Sequence, residues 1–184
     1  MKKIFFLLGL VFSLVLLLPR PAFAQEGWVI ENFHSDLTIR ENGKLRVEET
    51  IAVDFGSLAK HGIFRDVPNL YKLDTGENFY LEIELLGVKQ NGKDISYFET
   101  TKNGKIDIKI GDPNRTISGK AVYTIVYEVT GALRGFSDYD ELYWDVTGES
   151  WPVSISAAGA TLTLPKSSLA RIDCFEGGFG SKRK

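Results

Sequence analysis

Four carboxylates, Asp138, Asp140, Glu141 and Asp145, fall within eight positions, interleaved with the phenol rings of Tyr139 and Tyr143. Hard oxygen ligands at that density could hold calcium. The segment lacks the Asp-x-Asp-x-Asp-Gly loop, however, and places bulky Tyr139 inside it. It therefore reads as a solvated acidic loop, with Tyr143, Tyr139, Asp138, Asp140 and Glu141 as weak binding candidates. No metal site is assigned, because two histidines and one cysteine are too few for the usual zinc ligand sets. No cofactor is implied.

Glu49 is the oddest residue in a strand pattern. It falls in the apolar phase between Val47 and Ile51, where an uncompensated carboxylate is expensive. Two structural remedies are open: a pair with Arg65, or a bulge that turns Glu49 outward. A catalytic carboxylate is the third reading. The adjacent His34-Ser35-Asp36 does not make a triad, since neighbours on a strand point to opposite faces. Carboxylates suited to glycoside hydrolysis are plentiful, yet no motif selects two of them. No catalytic residue is assigned, and the expectation is a protein that is not an enzyme.

Two of the three tryptophans, Trp144 and Trp151, lie in the segment Leu142 to Val153. A glycan platform would need such rings facing solvent. Trp144 shares a strand phase with Leu142 and Val146, and Trp151 with Val153 and Ile155, so both read as structural core residues. Tyr143, in the opposite phase, is the better candidate for an exposed ring.

The elements that must position these residues are strands. Leu45, Val47, Ile51, Val53 and Phe55 share one phase; Leu81, Ile83 and Leu85 alternate with glutamates; Ile106, Ile108 and Ile110 alternate with Lys105, Asp107 and Lys109. Ala121 to Val129 is apolar on both faces, which suits a central strand. Asn42-Gly43, Asn91-Gly92 and Asn103-Gly104 supply the positive φ angles of type I′ hairpin turns, and Gly111 to Asn114 reads as a further turn. Strands are expected near 28–40, 44–55, 80–90, 95–102, 105–110, 119–131, 142–146 and 153–164. Residues 57–71 read as a long crossover and 134–141 as an acidic, aromatic loop or single helical turn. The fold class is all-β, an antiparallel β-sandwich of about eight strands; a partly open β-barrel is the alternative.

The first residues read as a targeting device. Lys2 and Lys3 precede an apolar run from Ile4 to Leu18, and Ala22-Phe23-Ala24 fits a cleavage site. The run is short for a membrane span, which needs about 20 residues. The expected organisation is a signal peptide at 1–24, a sandwich domain at 25–165, and the start of a truncated C-terminal segment or linker at 166–184. Cleavage would leave 160 residues carrying 19 basic and 24 acidic side chains. That length buries roughly 70% of the extended-chain surface without a disulfide scaffold. The mild acidity argues against a nucleic-acid partner. Cys174 is the only cysteine, so in an exported chain it implies an intermolecular bond, a free thiol or a missing partner.

Three segments carry a family resemblance: Gly62-Ile63-Phe64-Arg65-Asp66-Val67-Pro68; Ile117-Ser118-Gly119 leading into Tyr123 to Tyr127; and Leu142-Tyr143-Trp144-Asp145-Val146-Thr147-Gly148 with Trp151. In that order they resemble the extracytoplasmic N-terminal region of predicted bacterial membrane proteins grouped as domain of unknown function 2207. The likeness runs from about Trp28 to about Ser181. It implies transmembrane helices and a cytoplasmic tail beyond this domain, and a partner for Cys174 beyond Lys184. Glu176 departs from the family's threonine, and Asp145 stands where the family often has asparagine.

The functional expectation is a non-catalytic extracytoplasmic sensing or interaction domain of a bacterial envelope membrane protein, membrane-anchored only through segments beyond this chain. Its partner would be an unknown envelope protein or glycan. A carbohydrate-binding module for cell-wall or capsular polymer, using Tyr71, Tyr80, Tyr97, Tyr139 and Tyr143, is the alternative; a carboxylate-pair hydrolase is the third.

Overall fold

The computed structural model describes residues 27–72, 76–166 and 169–177. The signal-peptide reading at 1–24 and the basic stretch 181–184 lie outside the described residues. Every regular element among the described residues is a strand.

A large sheet has the order β13-β1-β2-β10-β6-β7. Its strands are β1 (Val29–Ile39), β2 (Leu45–Asp54), β6 (Glu82–Gln90), β7 (Lys93–Asp94), β10 (Lys120–Thr130) and β13 (Ala158–Thr163). A smaller sheet has the order β3-β9-β8, from β3 (Gly62–Pro68), β8 (Tyr97–Lys102) and β9 (Lys105–Gly111). Two short hairpins complete the set: β4 (Leu70–Lys72) with β5 (Asn78–Tyr80), and β11 (Leu133–Gly135) with β12 (Asp140–Leu142).

Alternation explains the layering. Phe33, Val47, Ile51, Tyr123 and Ile125 on the large sheet are fully buried, and Ile63, Val67, Ile108 and Ile110 on the small sheet join the same apolar cluster. Two open sheets thus enclose one core, giving an all-β sandwich without closure into a barrel. β10, apolar on both faces, lies between β2 and β6, although its outer face meets solvent at Val122.

The turns follow the glycines. Asn91-Gly92 and Asn103-Gly104 have positive φ at both residues, as type I′ turns require. Asn42-Gly43 differs, since only Gly43 is positive. There the loop spans Arg40 to Lys44, closed by Arg40 N–H donating to Lys44 O at 2.9 Å, and the Asn42 side chain accepts from Lys44 N at 3.1 Å.

Three expectations need correction. Residues 57–71 are not all crossover, because Gly62–Pro68 forms β3, paired with β9 throughout. Residues 142–146 are not a strand; pairing stops at Leu142, and the chain runs irregularly to β13. The sandwich is also not wholly antiparallel: β13 runs parallel to β1, with Phe33 opposite Ala158 and Thr38 opposite Thr163. The irregular stretch between β12 and β13 supplies the return crossing that a parallel pair demands.

A buried ion pair and an exposed aromatic hairpin

Glu49 enters the core because β2 keeps an unbroken register past it, facing Ser35 on β1 and Ile125 on β10. No bulge turns it outward. Arg65 enters from the opposite sheet, since β3 points Ile63, Arg65 and Val67 inward. The two meet in a bidentate pair: Arg65 Nη2 donates to Glu49 Oε1 at 2.7 Å and Nε to Oε2 at 2.8 Å. Their side chains are 0% and 2% exposed for Glu49 and Arg65 respectively, so water cannot replace either partner.

The remaining polar capacity is used locally. Tyr127 donates its hydroxyl to Glu49 Oε1 at 2.7 Å. Arg65 Nη1 donates to the carbonyls of Asp66 at 2.8 Å and Thr147 at 3.1 Å. The guanidinium carbon lies 5.3 Å from the Phe33 ring centre and 6.0 Å from that of Trp151, a distance at which a cation is drawn to the ring quadrupole. Burial opposes charge on Arg65, but Glu49 outweighs it and raises the guanidinium pKa further. Burial, reinforced by the Glu49 carboxylate, pushes the Tyr127 phenol well up. Buried on both sides and joined by contacts from both sheets, the pair is a clamp between them.

The clamp also seats the tryptophan segment. Trp151 Nε1 donates to Thr147 O at 2.8 Å, the same carbonyl that Arg65 engages. Its ring meets Phe33 edge-on, with centres 6.0 Å apart, and Trp144 lies 6.4 Å from Tyr127. Both tryptophans are half-buried against the core, reaching it from a loop and not from a strand. Asp145 turns inward and accepts from Gly148 N at 3.0 Å; an asparagine oxygen could accept the same bond. Gly148 has φ +73°, and a Cβ there would lie 2.4 Å from Arg65 Nη1.

The acidic candidates do not converge. Glu141 pairs across the β11–β12 hairpin with Arg134 at 3.7 Å, while Asp145 caps the Gly148 turn. Among the described residues no three His, Cys, Asp or Glu side chains gather as metal ligands would. What the hairpin does organise is a pair of rings. Phe136 N–H donates to Tyr139 O at 2.9 Å, and the two rings stack at 4.8 Å and 19°. Arg134 lies over Phe136 at 5.4 Å. Phe136 and Tyr139 stay exposed, and Tyr143, just past the end of β12, is 67% exposed. Phe136 escaped sequence reading because a three-residue spacing in a short loop carries no periodic signal.

The other tyrosines scatter. Tyr71 is half-buried, and burial with nearby Asp145 pushes its phenol up to about 12. Tyr80 and Tyr97 are exposed on β5 and β8. One ordered aromatic row does exist, on the outer face of the small sheet. Phe64 and Phe98 both stand opposite Lys109, one on each side, and the ammonium lies 5.8 Å over Phe64. Beside that row Asp66 faces Asp107, with Lys105 Nζ 3.6 Å from Asp66. Partial burial and the hydrogen bond to Asp66 raise the Asp107 carboxyl above its usual range. Cys174 is an exposed free thiol.

An all-β sandwich closed by an inter-sheet Glu–Arg clamp and a tryptophan loop is therefore the class of domain that this chain forms. The chain belongs to the DUF2207 family of predicted membrane proteins, whose N-terminal domain matches residues 29–182. It is 30% identical over 153 residues to the uncharacterized protein YciQ of Escherichia coli, across 80% of this chain but only 24% of that protein. It thus spans about a quarter of that relative's length. Among solved structures it is similar to an M1 zinc metallopeptidase from Deinococcus radiodurans (16% identity, 62% of this chain and 23% of that one, TM-score 0.37). It is likewise similar to leukotriene A4 hydrolase from Saccharomyces cerevisiae (10% identity, 60% and 17%, TM-score 0.43). Likenesses this distant have no bearing on the chemistry of this chain.

Proposed function

We propose that this domain is the non-catalytic, extracytoplasmic interaction module of an envelope membrane protein, contacting its partner through the β11–β12 hairpin. The observation that carries the reading is the exposed Phe136–Tyr139 stack, fixed by a backbone hydrogen bond and flanked by Arg134. Rings held rigid before contact lose little conformational freedom on binding, which is what a recognition surface gains from preorganisation. The core does not need these rings, because the inter-sheet contacts are complete without them. The basic start, apolar run and Ala22-Phe23-Ala24 support export.

The test uses the full-length protein in intact bacterial cells. A Ser137→Cys variant in a background with every native cysteine, Cys174 included, changed to serine should react with a membrane-impermeant maleimide before lysis; reaction only after lysis rules out the orientation. A photo-crosslinking residue at position 137 should yield a discrete adduct that Phe136→Ala with Tyr139→Ala abolishes. Adducts indifferent to the loss of both rings would remove the hairpin from the interface.

Glycan binding is the second reading, and the Phe64–Lys109–Phe98 row favours it. The rings lie two strand spacings apart, on the order of 9.6 Å, with carboxylates and ammonium groups alongside to meet hydroxyls. Reproducible binding to a glycan array that Phe64→Ala and Phe98→Ala eliminate would support it; binding unchanged by both would not.

A further inference from the structure

Among the described residues, β13 is a sheet edge that nothing blunts. Natural sheets blunt their edges with charge, proline, bulges or brevity, because unpaired N–H and C=O groups invite another strand. The other edges here follow that rule. β7 is two residues long and both are charged, β8 carries Glu99 and Lys102, and β3 contains Pro68 and lies beside the Thr147–Gly148 turn. β13, by contrast, reads Ala158-Gly159-Ala160-Thr161-Leu162-Thr163 with no charge, no proline and no register break against β1.

The ladder fixes which groups are open. Phe33 N–H donates to Ala157 O, and Phe33 stands opposite Ala158. In a parallel pair that register turns the N–H and C=O of Gly159, Thr161 and Thr163 toward β1. Those of Ala158, Ala160 and Leu162 point outward. Among the described residues no strand pairs with this outer edge. Ala158 and Ala160 are exposed even though they share a sheet face with buried Phe33, Ser35 and Leu37. The small sheet does not extend over them.

We propose that β13 pairs antiparallel with β13 of a second copy of this chain, joining the two large sheets across a two-fold axis through Ala160. The outward groups are palindromic about that residue: Ala160 would exchange both bonds with its counterpart, and Ala158 would face Leu162 in each direction, giving roughly six backbone hydrogen bonds. The side chains complement one another in size. Leu162 meets small Ala158, Gly159 meets Thr161, and no like charges are opposed. Pro165, just beyond the strand, ends the ladder. This contact is independent of the hairpin.

Cysteine cross-linking in native membranes tests it on the full-length protein in a background with every native cysteine, Cys174 included, changed to serine. Two cysteines at Ala160 would have Cα atoms about 5.5 Å apart, within reach of oxidation or a short bismaleimide. Two at Thr163 would lie six residues apart along the strands, on the order of 20 Å. The expected result is a product of twice the monomer mass from Ala160→Cys, at least ten-fold more abundant than from Thr163→Cys. Equal yields, no product from Ala160→Cys, or a product of any other mass would overturn the pairing.

Discussion

Glu49 and Arg65 sit on opposite sheets, yet they meet in a bidentate pair, with N···O distances of 2.7 and 2.8 Å in a site closed to water. A buried pair of this kind is weak evidence for net stabilisation, because desolvating both charges costs nearly as much as their attraction returns. Its value lies in specificity: only one alignment of β2 and β3 satisfies both groups and leaves Tyr127 and Thr147 partnered.

Removing one partner should therefore hurt more than removing both. Arg65→Met leaves the Glu49 carboxylate buried and uncompensated, at a cost of about 3–5 kcal/mol. The double variant Glu49→Leu with Arg65→Met should recover part of that loss, so the two single costs will not add. Urea unfolding followed by far-UV circular dichroism measures both. Arg65→Met without loss of stability would show that the pair does not matter to the fold.

The sequence revealed Glu49 because period-two alternation makes a polar residue in an apolar phase conspicuous. It hid β3 for the converse reason. β3 points Arg65 inward and Phe64 and Pro68 outward, inverting the polarity that marks a strand. Direction was equally unreadable, since alternation looks the same for β13 parallel or antiparallel to β1. The tryptophans were placed against the core by a strand argument that does not apply, because the loop carrying them is irregular. Strand register, which sets Asp66 against Asp107, has no signature in a single chain. The aromatic hairpin lay in a stretch too short for any period.

Gly148 should be irreplaceable. Its φ of +73° is a left-handed conformation, and a Cβ would crowd Arg65 Nη1. Gly148→Ala combines backbone strain of order 1–3 kcal/mol with displacement of the guanidinium from Thr147 O. Because Trp151 shares that carbonyl, the variant should also shift tryptophan fluorescence to the red in the folded state. An unchanged emission maximum and midpoint would show that the loop moves aside freely.

The Asp66–Asp107 pair predicts a stability that depends on pH. The folded state raises the Asp107 pKa above its usual value, so the protonated form is favoured in the fold. That contribution is complete below the unfolded-state pKa, near the ordinary aspartate range, and is lost as pH rises through the folded value. At neutral pH two opposed carboxylates remain, a cross-strand repulsion of roughly 0.2–1 kcal/mol. Asp107→Asn should thus raise the melting temperature at pH 7, and the gain should disappear by about pH 3. A gain that is the same at both pH values would mean that the effect is packing and not charge.

Glu128 should behave in the opposite sense. On the outer face of β10, it accepts from Lys44 Nζ at 2.7 Å and lies 2.9 Å from Arg40 Nη1. The hydrogen bond to Lys44 holds its carboxyl below the usual range, with burial opposing and the charges of Lys44 and Arg40 assisting. A depressed folded pKa contributes stability that is present above the unfolded value and is lost as pH falls through the folded one. Glu128→Gln should accordingly lower the melting temperature at pH 7, and the difference from the parent should shrink as pH falls below the ordinary glutamate range. Because both cationic partners come from the loop that joins β1 to β2, added salt should narrow the gap at pH 7 as well. A deficit that persists unchanged at acid pH and in high salt would assign Glu128 a steric role and not an electrostatic one.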